Sequence, residues 1–168
     1  SNERIRNSFL YCFSPREGME PLVRFLSKQF ILGITSNVNR LMWEHWCKEF
    51  PFLSPDEKVF SFHILSFREK MMKPDPRFFE AAFKQASRIY EMRSARKLQP
   101  EECLVFDDRQ ENILAAEVLQ MHGILVNERG YRDIVRELRH RYHIAVDLSI
   151  FEHLQFLRGL KPFSNLLE

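Results

Sequence analysis

The chain has 168 residues, 45% of them hydrophobic, a length and composition typical of one globular domain. Its net charge of +2 does not indicate nucleic-acid binding, which needs a clustered basic face, so nucleic acid is not an expected partner. No apolar run approaches the roughly 20 residues that cross a bilayer, and the three widely separated cysteines lack metal-binding spacing, so we expect a cytoplasmic protein with reduced thiols.

The first half of the chain alternates predicted helices with apolar strands. Pro21 fits the first turn of a helix, because the missing proline N–H has no partner there. Residues 30–35 form a short apolar run that ends in polar Ser36 and Asn37, a pattern typical of a buried parallel strand. Residues 39–50 suggest a second helix, and residues 59–67 alternate enough to predict another strand.

The second half continues the same alternation. Asp75 and Pro76 predict the start of a long helix, since aspartate caps helices and proline is tolerated in the first turn. A buried strand over 103–106 precedes a helix that Gly123 is placed to end. A strand at 124–126, an arginine-rich helix at 131–141 and a possible edge strand at 144–146 follow. This alternation predicts an α/β fold, with a mostly parallel sheet between helices.

Polar groups follow three of these elements, at positions where α/β sheets bind ligands. They are Ser36 with Asn37, Lys73, and Asp107 and Asp108 with Asn112. A hydroxyl and backbone amides can hold phosphate oxygens, a lysine can neutralise charge, and carboxylate and amide oxygens are ligands that suit Mg²⁺. Each group alone is typical of a turn, a surface lysine or a helix cap. Their order and spacing together indicate a phosphoryl-transfer site.

Three segments resemble motifs of a known family. ITSN, KPDPRFFEAAF and LVFDDRQENILAAEVLQMHGILV look like the second, third and fourth motifs of the haloacid dehalogenase (HAD) superfamily of hydrolases. The resemblance runs from about Glu17 to Val126 and implies a Rossmann-type, HAD-like fold. It also implies that Ser36 and the Asn37 backbone bind the phosphoryl group, and that Lys73 bridges the nucleophile and the phosphate.

The resemblance also implies a metal ion and a reaction. It implies that Asp108 ligates Mg²⁺, with Asp107 and Asn112 in support. The paired aspartates are similar to those of phosphatases, whereas the dehalogenases of the superfamily work without a metal. The implied function is Mg²⁺-dependent hydrolysis of a small phosphorylated metabolite through an aspartyl-phosphate. The substrate and the oligomeric state stay open.

One motif of the family is missing. Its first motif is an apolar strand ending in D-x-D, whose first aspartate attacks phosphorus, and no D-x-D occurs in this sequence. We therefore expect residues 1–17 to be a remnant of the cap or linker, and residues 18–168 an incomplete HAD-like core without its amino-terminal strand and cap. The alternatives are that residues 9–13 are a decayed first strand, and that the protein is a catalytically inactive binding or regulatory module.

We predict that this 168-residue chain alone has no phosphatase activity, because it lacks the attacking carboxylate. Removing a nucleophile costs about 10⁶ in rate in a protease triad. The measurement is Mg²⁺-dependent hydrolysis of an aryl phosphate, with and without the upstream reading frame. Robust turnover by residues 1–168, persisting after contaminating phosphatases are removed, would show that the nucleophile lies elsewhere.

Overall fold

The helices and strands alternate along the chain. The computed structural model describes residues 16–126 and 130–151. The helices in these ranges are α1 (Met19–Leu26), α2 (Arg40–Glu49), α3 (Ser66–Glu69), α4 (Pro76–Ser94), α5 (Gln110–Glu117) and α6 (Tyr131–His140). The strands are β1 (Gly33–Ser36), β2 (Phe62–Leu65), β3 (Leu104–Asp107) and β4 (His122–Leu125). Across both ranges, no helix has the length and apolar character needed to cross a membrane.

Two helices begin at polar caps, and the sequence predicts one of them. The Asp75 side chain accepts a hydrogen bond of 3.0 Å from the backbone N–H of Arg77, so the predicted cap of α4 is confirmed. At α2, the Asn39 side chain accepts from the backbone N–H of Met42 at 2.9 Å. The cap of α4 fixes the chain two residues after Lys73, which helps to position that lysine.

The strands pair in parallel, as the alternation of strands and helices predicts. β1 pairs with β2, from Gly33 opposite Phe62 to Ser36 opposite Leu65. β3 pairs with β4 over the same length. Within residues 16–126 and 130–151 these are two separate parallel pairs, and β1 and β3 are not hydrogen-bonded to each other. The alternative first strand, residues 9–13, lies outside the described residues.

The strands are less buried than their apolar sequences predict. Most residues of β1 and β3 are half-buried, and Asp107 is the buried residue of β3. The physical reason is that each of these strands has a hydrogen-bonded neighbour on one side only, among the residues that the structure describes. Burial on both faces is typical of strands inside a complete α/β sheet.

The sequence predicts that Gly123 ends a helix, and the structure shows that this prediction is wrong. Gly123 lies inside β4, and the chain turns before it, at Gln120 with φ 65°. A Cβ on Gly123 would lie 2.3 Å from Cγ2 of Ile113 in α5. The glycine is therefore needed for the close approach of α5 to β4, and not for helix termination.

The predicted edge strand at 144–146 is also absent from the structure of that segment. The backbone N–H of Ile144 donates to the carbonyl of Leu138 at 2.8 Å, which satisfies a carbonyl in the last turn of α6. Val146 is buried in the core beside α1 and α6. The apolar character of this segment reflects packing against a helix end and not strand pairing.

The buried residues form three clusters around these elements. One joins α1 to α6 and contains Leu22, Ile134, Val135, Leu138 and Phe151. A second joins α2 to β2 and contains Val38, Met42, Trp43 and Leu65. The third packs α4 against α5 and contains Phe79, Ala115, Ala116 and Met121. The clusters hold helices against both strand pairs and leave the polar strand ends to form the site.

We predict that Leu65→Ala lowers the free energy of unfolding by about 2–5 kcal/mol, because it leaves a cavity in a packed cluster. Leu65 is 0% exposed, whereas Leu41 in α2 is 52% exposed and provides the matched control. Leu41→Ala should cost about 0.5 kcal/mol or less. Urea denaturation followed by circular dichroism gives both values, and equal losses would contradict the burial of Leu65.

Candidate functional site

Asn37, the residue after β1, ties two loops together. Its side-chain amide nitrogen donates to the carbonyl of Lys73 at 2.9 Å, and its side-chain oxygen accepts from the backbone N–H of Lys73 at 2.8 Å. The two hydrogen bonds form a reciprocal pair that uses both the NH₂ donor and the carbonyl acceptor of the Asn37 side chain. The loop that carries Lys73 is thereby fixed to the carboxyl end of β1.

Ser66 fixes the same end of β1 from another direction. The Ser66 hydroxyl accepts from the backbone N–H of Val38 at 2.9 Å and donates to the Val38 carbonyl at 3.0 Å. No motif of the sequence singles out Ser66. The available signal is that it is a polar residue directly after β2, as Asn37 is directly after β1 and Asp108 is directly after β3.

Lys73 forms a buried ion pair with Asp107, the last residue of β3. The ammonium nitrogen lies 2.5 Å from Oδ2 of Asp107, and the two side chains are 12% and 5% exposed. Oδ1 of Asp107 accepts from the Asn112 side-chain amide at 2.8 Å and from the Arg109 backbone N–H at 2.9 Å. Both oxygens of this buried carboxylate are therefore engaged, as a buried charge requires.

The direct partner of Lys73 is Asp107. Because Ser36, Lys73 and Asp108 follow strands of one parallel sheet, the sequence predicts that the ammonium lies within about one water-bridged contact of the Asp108 carboxylate. In the structure the ammonium bonds to Asp107, the residue before Asp108, and the Asp108 side chain is 59% exposed. The reason is that adjacent residues at a strand end point in different directions. Asp107 faces inward to Lys73, and Asp108 faces outward.

An open cleft lies at the carboxyl end of β3. Its lining includes Arg16, Met19, Phe106, Asp107, Asp108 and Ile134. The Arg16 guanidinium reaches to 3.4 Å from Oδ2 of Asp108. Sequence reasoning did not select Arg16, because it lies in the segment expected to be a cap or linker remnant and belongs to none of the motifs.

The predicted site residues therefore fall into two groups. Asn37, Lys73, Asp107 and Asn112 belong to one hydrogen-bonded network that joins the ends of β1 and β3. Ser36 is the last residue of β1, adjacent to this network, and Asp108 is the exposed neighbour of Asp107. Their chemical roles stay predictions.

The carboxylate oxygens at the end of β3 fit a magnesium ion that this chain ligates directly through one residue. Asp107 already satisfies both its oxygens with protein donors, whereas the Asp108 carboxylate is accessible from the cleft. Among residues 16–126 and 130–151, no group of three or more His, Cys, Asp or Glu side chains could hold a metal ion by itself. Mg²⁺ is commonly bound through one or two carboxylates and keeps several waters, so Asp108 suits it.

The chain belongs to the haloacid dehalogenase-like hydrolase family, which matches residues 5–119, more than half of its length. It is also similar to the Rhythmically expressed gene 2 protein of Drosophila melanogaster. The two are 28% identical over 135 residues, which cover 75% of this chain and 46% of that protein. The chain thus spans about half the length of this relative.

Solved structures share the fold. The HAD family enzyme BT-2542 from Bacteroides thetaiotaomicron, in complex with magnesium and inorganic phosphate, superposes with a TM-score of 0.62 at 24% identity. The match covers 76% of this chain and 61% of that one. An uncharacterized protein from Corynebacterium glutamicum has a TM-score of 0.60 at 17% identity, covering 82% of this chain and 94% of that one. The likeness establishes the α/β HAD-like fold, with parallel strands between helices.

We predict that Lys73→Met lowers the free energy of unfolding by about 3–5 kcal/mol, because it leaves the buried Asp107 carboxylate without its cation. The double variant Lys73→Met/Asp107→Asn should regain part of this loss. Lys84→Met, which changes an exposed lysine of α4, is the control and should stay within about 0.5 kcal/mol of the parent. Urea denaturation measures all three, and a Lys73 cost no larger than that of Lys84 would argue against the ion pair.

Proposed function

We propose that the complete protein is a Mg²⁺-dependent phosphatase of a small phosphorylated metabolite, acting through an aspartyl-phosphate intermediate. The observation that supports this most is the buried Lys73–Asp107 pair beside the accessible Asp108 carboxylate. The attacking aspartate is not among the residues of this chain, which contains no D-x-D. In this proposal the chain supplies the residues that bind phosphate and stabilise charge.

The phosphate side of the proposed site lies at the end of β1. There Ser36 would donate its hydroxyl to a phosphoryl oxygen, together with the backbone N–H of Asn37. The Asn37 side chain has a different task, since it holds the loop of Lys73. Lys73 would then neutralise charge that develops on the transferring phosphoryl group, a contribution that depends on donors held in place beforehand.

The metal side of the proposed site lies at the end of β3. Asp108 would ligate Mg²⁺, and Asp107 and Asn112 would support it from behind. When bound, Mg²⁺ would supply positive charge to the phosphate oxygens. Asn112 keeps Asp107 in place through its 2.8 Å hydrogen bond, and Lys73 balances the charge of Asp107. Among the described residues that line the cleft, the carboxylate that remains for a cation is then that of Asp108.

The relatives lend support at the level of the fold. BT-2542 holds magnesium and inorganic phosphate in its crystal structure, and it shares the parallel α/β fold with this chain. At 24% identity, the substrate of BT-2542 cannot be assigned to this chain. The proposal of a small phosphorylated substrate rests on the paired aspartates and on the lysine, which suit phosphate better than a halogenated acid.

A cytoplasmic location belongs to the same proposal. Cys47 and Cys103 are free thiols. Burial raises the pKa of both, that of Cys103 to about 11. A thiol with a raised pKa stays protonated at neutral pH and reacts slowly, as structural cysteines do. Such thiols suit a reducing compartment.

The alternative function is that of an inactive HAD-like binding or regulatory module. It is favoured by one observation, the absence of D-x-D from the sequence. An assay of the full-length protein on a panel of phosphorylated metabolites distinguishes the two. Mg²⁺-dependent turnover supports the phosphatase, whereas metal and phosphate binding without turnover supports the binding module.

We predict that Asp108→Asn abolishes Mg²⁺ binding, because it removes the accessible carboxylate, and that Asp107→Asn weakens binding less. Isothermal titration calorimetry with MgCl₂ is the measurement. Asp56→Asn, an exposed aspartate in the loop between α2 and β2, is the matched control and should bind like the parent. Unchanged Mg²⁺ affinity in Asp108→Asn would refute the metal site.

A further inference from the structure

A cation from this chain already faces the carboxylate proposed for magnesium. Nη2 of Arg16 lies 3.4 Å from Oδ2 of Asp108, and the two residues are 92 positions apart in the sequence. Their side chains are 43% and 59% exposed, so neither is locked in place by burial. A contact of this kind is exchangeable, because a half-exposed ion pair contributes little to stability.

The position of Arg16 is set by close backbone packing. Gly18 has φ 78°, and a Cβ there would lie 2.3 Å from Cδ1 of Tyr131, the first residue of α6. The stem of Arg16 also lies near Gly130, since its Cδ would be 3.6 Å from a Cβ added there, an ordinary contact distance. The carbonyl of Arg16 also accepts from the backbone N–H of Met19 at 3.2 Å. The stem is thus held against the start of α6, and the guanidinium extends to the end of β3.

Neighbouring cations are engaged elsewhere. The Lys73 ammonium is bonded to Asp107, and the Arg109 side chain is paired with Glu111. Among residues 16–126 and 130–151, the cation that contacts the Asp108 carboxylate is Arg16. A guanidinium and a divalent cation on the same carboxylate repel each other, since like charges a few ångströms apart interact strongly at a protein surface.

We propose that Arg16 is an internal cation that competes with Mg²⁺ for the Asp108 carboxylate and must leave it when Mg²⁺ binds. This inference rests on the proposed function, which assigns Mg²⁺ to Asp108. Arg16 is a positioning residue in this scheme. Because the metal must displace it, Arg16 sets the Mg²⁺ concentration at which the site fills.

Calorimetry with MgCl₂ tests the competition on the 168-residue chain. Arg16→Gln should bind Mg²⁺ about threefold to tenfold more tightly than the parent, because the metal no longer displaces a charged partner. Arg16→Lys keeps the charge without the planar guanidinium and should lie between the two. Arg109→Gln is the matched control, since it removes a cation adjacent to Asp108 in the chain that is paired with Glu111. Its effect should stay below about twofold.

A direct readout follows the guanidinium itself. In ¹⁵N-labelled parent protein, the Nε–Hε resonance of Arg16 should shift in step with Mg²⁺ binding, and in Asp108→Asn it should not move. Arg24, paired with Glu20 and Glu57 away from the cleft, provides an internal control resonance. An Arg16 signal that stays unmoved at saturating Mg²⁺ overturns the proposal even if Arg16→Gln does not fold.

The outcomes separate this inference from the proposed function. Mg²⁺ binding that requires Asp108 but is equally tight with and without the Arg16 guanidinium overturns the inference and leaves the metal site standing. Equal tightening by Arg16→Gln and Arg109→Gln also overturns it, because a general field effect would then explain both. Absence of Mg²⁺ binding in the parent chain overturns both.

Discussion

The ion pair between Lys73 and Asp107 links parts of the chain that share no strand pairing in the described structure. Lys73 comes from the loop between α3 and α4, and Asp107 ends β3. Each is held by further bonds, Lys73 through its backbone to Asn37 and Asp107 through its second oxygen to Asn112. Because the Asp107 carboxylate is buried, removal of the Lys73 ammonium would leave a buried charge without its partner. The geometry of the candidate site depends on this pair.

Much of the architecture could be predicted because it follows from local chemistry. Asp75 and Pro76 start α4, and apolar runs followed by polar residues mark β1 and β3. Among the residues that the structure describes, the ends of β1 and β3 are joined by the Lys73–Asp107 ion pair and not by strand pairing. The role of Gly123 is predicted wrongly, because a glycine that ends a helix and a glycine that packs against a helix look the same in the sequence. The burial of β1 and β3 is predicted to be greater than it is, since burial depends on neighbouring strands that the sequence of one strand does not reveal.

The finer geometry of the site was beyond sequence reasoning for two physical reasons. Adjacent carboxylates look equivalent in the sequence, and only the backbone direction at the end of β3 turns Asp107 inward and Asp108 outward. Arg16 lies far from Asp108 along the chain and is placed by the approach of Gly18 to Tyr131. A local sequence pattern does not predict a contact between residues 92 positions apart. The chain spans 46% of the length of its Drosophila relative, so the activity of the whole protein stays a proposal.

The reciprocal bonds of Asn37 make the site sensitive to a single-atom change. The Asn37 amide presents a donor to the Lys73 carbonyl and an acceptor to the Lys73 N–H. Aspartate has nearly the same shape, but when ionised it offers acceptors only. Spontaneous deamidation of this exposed asparagine would therefore set a carboxylate oxygen against the carbonyl and leave the Lys73–Asp107 ion pair to hold the loop alone. Chemical ageing of one side chain would then loosen the candidate site while every core residue stays in place.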